Sequence, residues 1–290
     1  MKILITGISG FIGNSIASSL SKKHTIYGIY RNKKPKIKNK NNVILIKGDL
    51  INPKEMPIKC DYIIHAASET PNRTKDDSKI YNSNTISMKN LITYSIKSKP
   101  KYFLFLSSNS IYGTNKQKII NEKSKSIKPN KYGLSKIHCE KLLETFSKKQ
   151  IGTKCLSIRL PGVVGINSKD NFISNTLKNI RNKKDVSIYN KTALFNNIVH
   201  VDDIVKYTLI WIKHQKSNYD MFNVAASYPI SLDSVTDIFF KLQKNTVKVH
   251  SNYKGKKPFI IDTSLARKNK FNIRKTKDIL IDYAKKEIFK

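Results

Sequence analysis

Residues 7–13 read Gly-Ile-Ser-Gly-Phe-Ile-Gly, directly after the apolar run Ile3, Leu4, Ile5 and directly before the helical spacing of Ile16 and Leu20. Three of the chain's eleven glycines thus fall between a strand signal and a helix signal. In a strand–turn–helix unit, glycines let the backbone turn sharply, approach a pyrophosphate and pack the helix on the strand, while the helix N-terminus offers free N–H groups to negative charge. The G-x-x-G-x-x-G spacing therefore predicts a dinucleotide cradle built by Gly7, Gly10 and Gly13, with Phe11 and Ile12 inside it.

The same alternation continues. Short, largely continuous apolar runs at 2–6, 25–30, 43–47, 62–65, 102–106 and 154–159 predict strands covered on both faces. Amphipathic stretches at 14–23, 80–97 and 131–148 predict helices between them. Strand and helix in regular succession imply an α/β fold, a doubly wound parallel sheet of Rossmann type. Beyond residue 165 the pattern loosens. The expected division is 1–165, with 198–225 returning to it, and a smaller C-terminal subdomain of 166–197 and 226–290. The polar loop at 33–42 is too short to separate domains.

Composition excludes several functions. A net charge of +35 invites a nucleic-acid reading, yet only six of the 55 basic residues are arginine and the lysines are scattered along the whole chain. Lys, Asn and Ile are abundant together and all have A/T-rich codons, so base composition explains the charge better than a binding stripe, which favours Arg and interleaved aromatics. No specific nucleic-acid partner is expected. No apolar run approaches the roughly 20 residues of a membrane span, and no signal-peptide pattern opens the chain, so the expected location is cytoplasmic. Cys60, Cys139 and Cys155 read as reduced thiols, and the six histidines form no metal-ligand spacing, so no metal is expected.

In this kind of sheet an acid at the end of the second strand grips the ribose hydroxyls of NAD. Here Tyr30 and Arg31 stand there, followed by Asn32, Lys33 and Lys34. A guanidinium suits a 2′-phosphate. The expectation is NADP(H), with NAD(H) as the alternative.

Tyrosine followed four residues later by lysine occurs at Tyr30/Lys34, Tyr112/Lys116, Tyr132/Lys136 and Tyr253/Lys257. Only Tyr132 and Lys136 open a long amphipathic segment, with Leu134, Ile137, Leu142, Leu143 and Phe146, where that separation puts both on one helix face. A free tyrosine, with pKa ~10, is a poor proton shuttle at neutral pH; a neighbouring ammonium favours the phenolate. A hydroxyl to orient a substrate carbonyl is offered by Ser107, Ser108 or Ser110 at the end of the fifth strand, where ligands sit in such sheets.

The ordered series TGISGFIG, GDL (48–50), IIHAAS (63–68), NTISMKNLI (84–92), SSNSIYG (107–113), KYGLSKIHCE (131–140), IRLPGVVG (158–165) and VHVDDIV (199–205) resembles the extended short-chain dehydrogenases/reductases, the NAD-dependent epimerase/dehydratase family of nucleotide-sugar enzymes. The resemblance covers nearly the whole chain. It implies a nucleotide-sugar substrate, a homodimer, and a substrate-binding role for the smaller subdomain. It places Asp49 and Leu50 near the adenine, Ala66 and Ala67 along the cofactor, and Asn84 as a structural or active-site residue. Ser108, Tyr132 and Lys136 become the catalytic three, with Asn109 beside them. Ser108 is chosen because it stands four residues before Tyr112, where the family's Ser or Thr usually stands. Pro161, beside the cofactor, and Asn171 and Phe172 face the substrate.

Departures narrow the reaction. The family's 4,6-dehydratases place an Asp-Glu pair beside the catalytic hydroxyl, where Ser108 and Asn109 stand here, which disfavours dehydration. The 4-epimerases usually carry the ribose-binding acid and hold NAD tightly, whereas this chain has Tyr30. An Arg-Asp pair that many relatives carry is replaced by Asn196 and Asn197. The expected activity is NADP(H)-dependent reduction of a nucleotide-linked 4-keto-6-deoxy sugar in surface-polysaccharide biosynthesis. The alternatives are a nucleotide-sugar 4-epimerase with tightly bound NAD and a non-catalytic NADP-sensing or RNA-binding relative. His65, His200 with Asp202 and Asp203, Cys139 and Trp211 read as structural.

Overall fold

The computed structural model describes residues 1–37, 41–149, 152–215, 217–251 and 259–288. Ile3, Leu4 and Ile5 are wholly buried in the opening strand, β1 (Lys2–Thr6). Because side chains alternate along a strand, burial of all three requires cover on both faces of the sheet. β1 pairs in parallel with β2 (Thr25–Tyr30) and β4 (Tyr62–His65), β2 with β3 (Val43–Lys47), and β4 with β5 (Tyr102–Ser108). With β6 (Lys154–Leu160) and β7 (Tyr219–Asn223) the order of the seven-stranded sheet is β7-β6-β5-β4-β1-β2-β3. The order reverses at β1 and β4, and ligands bind beyond the strand ends at such a reversal.

Helix α1 (Phe11–Leu20) lies against β1 and β2. Helices α2 (Asp77–Ser98) and α3 (Lys131–Lys149) pack Met88, Leu91 and Leu143 against Leu4, Ile63 and Phe103. α3 starts at Lys131, where the sequence puts it, whereas α1 and α2 start before the apolar spacing begins. α1 starts three residues before its expected position, straight from the glycine turn. α2 starts at Asp77 because the Asp76 side chain accepts from the Lys79 N–H at 2.9 Å, and it ends at Lys99, whose φ of 46° is left-handed, with Pro100 next. Asn130 Oδ1 accepts from the Gly133 N–H at 2.8 Å over the first turn of α3.

The chain forms two compact units, one of Met1–Gly113, Ser126–Arg159 and Val205–Phe222, the other of Thr114–Lys125, Leu160–Ile204 and Asn223–Lys290. The second, smaller unit has its own core, in which Ile173, Leu177, Phe195, Val235, Phe239 and Leu280 pack together. Its strands are short: Gly162–Val164 pairs in parallel with Ile198–His200, and Ile119–Ile120 with Ile260–Ile261. Among the described residues no helix is long and apolar enough to cross a membrane. Residues 38–40 of the polar loop, and the Tyr253/Lys257 pair, lie outside the described residues.

Candidate active site

The glycine turn leaves β1 with Gly7 at φ +69°, where a Cβ would lie 2.6 Å from the Ala67 backbone nitrogen. Only glycine allows both that conformation and that approach. Ala66 and Ala67 are held to β1 in turn, Ala66 N–H by the Thr6 carbonyl at 3.3 Å and Ala67 N–H by Thr6 Oγ1 at 3.2 Å. Gly10 caps α1 without a side-chain hydrogen bond, and no acid stands in the first turn, so the helix's leading N–H groups, Phe11 and Ile12 among them, face outward with the positive end of the helix dipole. A narrow cradle of bare backbone with an uncapped helix start fits a dinucleotide pyrophosphate. On the neighbouring strand ends, Asp49 Oδ1 accepts from the Ile51 N–H at 3.0 Å, and buried Leu50 gives its carbonyl to Asn90 Nδ2 at 2.8 Å.

Two strands from β1 in the sheet, β5 ends at Ser108, two residues later than apolarity alone predicts. Ser108 Oγ accepts from the Ser110 N–H at 3.1 Å and donates to Ser110 Oγ at 3.2 Å, fixing a tight turn over Asn109–Tyr112. Asn109 is buried, and neither of its side-chain amide atoms has a hydrogen-bond partner among the described residues. Helix α3 starts against this turn because Gly133 has no side chain: a Cβ there would strike the Ser110 carbonyl oxygen. The close approach brings the turn that follows Ser108 to the residue that follows Tyr132.

Lys136 is 3% exposed, an unusual burial for a lysine. Its Nζ donates to the Leu106 carbonyl at 2.9 Å and sits 4.7 Å from the Phe105 ring centroid and 5.5 Å from that of Tyr132. Tyr132 itself is half-buried. Behind this group, His65 stacks on Phe105 at 5.5 Å and lies 2.7 Å from Thr6 Oγ1. Burial, and then the Lys136 charge, push its pKa down to about 3, so the imidazole stays neutral.

Asn84 ties the loop after β4 to α3. Its Oδ1 accepts from the Glu69 N–H at 2.7 Å, and its Nδ2 donates to Ser135 Oγ at 2.9 Å. Ser135 Oγ in turn donates to the Tyr132 carbonyl at 2.7 Å. Cys139 is buried, its Sγ 3.5 Å from the Asn84 carbonyl and its thiol pushed up to about 12 by burial, which makes it inert packing.

The remaining expected residues belong to the second unit. Asn171 caps the helix Phe172–Arg181, accepting from Ser174 N–H at 2.9 Å and donating to the Val163 carbonyl at 3.1 Å. Phe172 is half-exposed, with its ring edge-on to Phe195 at 5.7 Å. Pro161 joins β6 to Gly162–Val164. Asn196, where many relatives carry an arginine, is committed to backbone, bonding the Ala226 carbonyl and both backbone groups of Ile261 at 2.9 Å.

Three participants escape sequence reasoning. Phe105 and the Leu106 carbonyl meet Lys136 from β5, and Glu69 pairs with Arg31 at 3.2 Å across 38 residues of chain. None has a local pattern; only the series IIHAAS, ending one residue before Glu69, points nearby.

Comparisons with known proteins identify the family and the fold. The model of the "NAD dependent epimerase/dehydratase family" matches residues 3–225. UDP-glucuronate 4-epimerase 1 of Arabidopsis thaliana is 22% identical over 96% of this chain and 74% of its own. Among solved structures, the UDP-N-acetylglucosamine 4-epimerase of Methanobrevibacter ruminantium M1, in complex with UDP-N-acetylmuramic acid, superposes with a TM-score of 0.85 at 21% identity, covering 98% of this chain and 97% of that one. The UDP-glucuronic acid 4-epimerase of Bacillus cereus, in complex with NAD, gives 0.84 at 19% identity, covering 99% and 96%.

These matches correct the cofactor expectation from NADP(H) to NAD(H): the family is NAD dependent by description, and the Bacillus cereus structure holds NAD. The local reason for the error is that Arg31, read as a grip for a 2′-phosphate, already has an anionic partner in Glu69.

Proposed function

The chain belongs to the NAD dependent epimerase/dehydratase family, and from that premise we propose that it is an NAD-dependent 4-epimerase of a nucleotide-activated sugar. The three relatives above are all 4-epimerases by name, which supports this reading over the ketoreductase that the sequence alone favours. The observation that carries it is the buried Lys136 ammonium, 2.9 Å from the Leu106 carbonyl and 5.5 Å from the Tyr132 ring, beside the turn that Ser108 caps.

In this reading Gly7, Gly10, Gly13 and Ala67 hold the dinucleotide, and NAD when bound supplies reversible hydride transfer at its nicotinamide ring. Tyr132 takes the proton of the sugar's 4-hydroxyl and later returns it. Lys136 supplies positive charge beside the Tyr132 oxygen, and its remaining N–H donors orient the adjoining ribose. Ser108 Oγ turns its one proton from Ser110 Oγ to the substrate oxygen on which negative charge develops. The catalytic hydroxyls and the amine stand on the stiff end of β5 and the first two turns of α3, so little backbone reorganisation accompanies the reaction. Asn109 and Ser110 follow Ser108 without a carboxylic acid, which leaves no acid there to expel a 6-hydroxyl.

The test is to identify the dinucleotide that copurifies, then to incubate the protein with UDP-glucose, UDP-N-acetylglucosamine and UDP-glucuronate and follow inversion at C4 by NMR. Inversion that Tyr132→Phe abolishes while NAD stays bound is the expected result. Net oxidation of NADH on a 4-keto sugar, with no inversion of any of the three, would replace the epimerase with a ketoreductase. A homodimer is part of the proposal and is checked by sedimentation equilibrium.

A further inference from the structure

The end of β2 carries Tyr30 and Arg31 where an acid would grip the ribose of NAD. A guanidinium at that place is suited to a 2′-phosphate, yet the cofactor is NAD(H). The structure offers a physical reason. Arg31 Nη2 donates to Glu69 Oε2 at 3.2 Å, and the Glu69 side chain is 7% exposed against 42% for Arg31. Glu69 follows β4, Arg31 follows β2, and β1 lies between those strands. The ion pair therefore joins the two strand ends that flank the glycine turn. Both partners have fixed backbones. Asn84 bonds the Glu69 N–H at 2.7 Å and its carbonyl at 3.1 Å. Ser9 Oγ donates to the Lys33 carbonyl at 2.6 Å and Asn14 Nδ2 to the Lys36 carbonyl at 3.1 Å, tying the segment after Arg31 to the glycine turn.

We propose that Glu69 is a specificity-determining residue: by engaging Arg31 and placing a carboxylate beside it, Glu69 excludes dinucleotides that carry a 2′-phosphate and makes the site select NAD(H) without an acid on β2. The inference rests on the NAD-dependent reading above. A 2′-phosphate would meet a guanidinium whose charge is already offset by a carboxylate, next to a like charge fixed in place. The 2′-hydroxyl of NAD meets no such repulsion. Arg31 is well exposed, and Glu69→Gln keeps the size of the buried side chain while removing its charge, so the change strands no buried charge.

The experiment is calorimetric titration of NAD⁺ and NADP⁺ into dinucleotide-free wild type, Glu69→Gln, Arg31→Ala and the double variant. Glu69→Gln is expected to tighten NADP⁺ about tenfold, leave NAD⁺ within about twofold, and lose the gain at high salt. Arg31→Ala alone leaves NADP⁺ as weak as in the wild type, and the double variant loses the gain. Unchanged NADP⁺ binding in Glu69→Gln overturns the proposal. So does a tenfold loss of NADP⁺ binding in Arg31→Ala, which would mean that the guanidinium was available throughout; this arm decides even if the Glu69 variant misfolds. Wild type that binds neither dinucleotide instead overturns the NAD-dependent reading, and the proposal with it.

Discussion

Lys136 and Arg159 are both buried cations beside helix α3, and they are held in opposite ways. Arg159 meets a full set of partners: Glu140 takes its Nε and Nη2 at 3.0 and 2.8 Å, and the Tyr112 hydroxyl takes its Nη1 at 3.0 Å. Ser107 Oγ completes the cluster by donating to Glu140 at 2.5 Å. Burial opposes the Arg159 charge, but the hydrogen bonds and charge of Glu140 raise its pKa further, so it is permanently charged. Lys136, one helical turn before Glu140, has one carbonyl and two aromatic rings. A closed cluster in which each guanidinium nitrogen has a partner is a structural joint. A buried ammonium with donors to spare and no ion pair among the described residues is more costly to fold, and the arrangement suits chemistry on a ligand.

Breaking each side of this comparison gives different outcomes. The largest effect is expected for Lys136→Met, which lowers turnover at least about 10³-fold while unfolding stability holds or rises, because no counter-charge is stranded. Steady-state kinetics and urea unfolding on the same preparation measure both; a large loss of stability would put Lys136 among the structural cations. Glu140→Ala should do the reverse, leaving Arg159 buried and unpaired and costing about 3–5 kcal/mol of stability by chemical denaturation. An unaffected denaturation midpoint would break the comparison on the structural side. Ser108→Ala removes one donor to developing charge and should lower kcat about 10²-fold with little change in KM; equal loss in binding and turnover would move Ser108 from catalysis to substrate binding.

An effect that appears only on acidification sharpens the comparison through His65, which stacks on the Phe105 ring that Lys136 also meets. Folded, its pKa is down at about 3; unfolded, it titrates near ~6.5. Between those values the unfolded chain binds the extra proton, so this group's contribution is intact above the unfolded value and is lost as pH falls, by up to about 1.4 kcal/mol per pH unit. Urea unfolding of wild type and His65→Gln from pH 7 to 4 isolates it: the variant should show the shallower decline. Parallel profiles would remove His65 from the account. In Lys136→Met the His65 pKa should rise, read by NMR titration.

Much of the sheet was legible because apolar runs covered on both faces have few alternatives. β1, β2, β3 and β4 have the bounds read from the sequence, whereas β5 was cut short at its serine-bearing end, since hydroxyls interrupt an apolar run without interrupting a strand, β6 was cut short by one residue, and β7 was not singled out. The glycine turn and the Tyr132/Lys136 spacing were also visible, as local patterns must be. Arg31 was misread because its meaning lies in Glu69, and no local pattern reports a partner 38 residues away. Asn171 shows a different limit. An asparagine before an apolar helix is also a cap, and here the amide is committed to Ser174 and Val163.

By itself, then, the sequence determined the alternation of strand and helix, the bare-backbone turn after β1 and the two residues one helical turn apart on α3, because each is set by interactions within a few residues. Tertiary structure alone decided which cation would be neutralised: β5 and β6 bring a carboxylate–arginine joint to one turn of α3 and a carbonyl with aromatic rings to the turn before it. The same long-range pairing of strand ends set Glu69 against Arg31. Charge in a protein acts through what surrounds it in space, and those neighbours come from strands that the sheet order, not the chain order, places side by side.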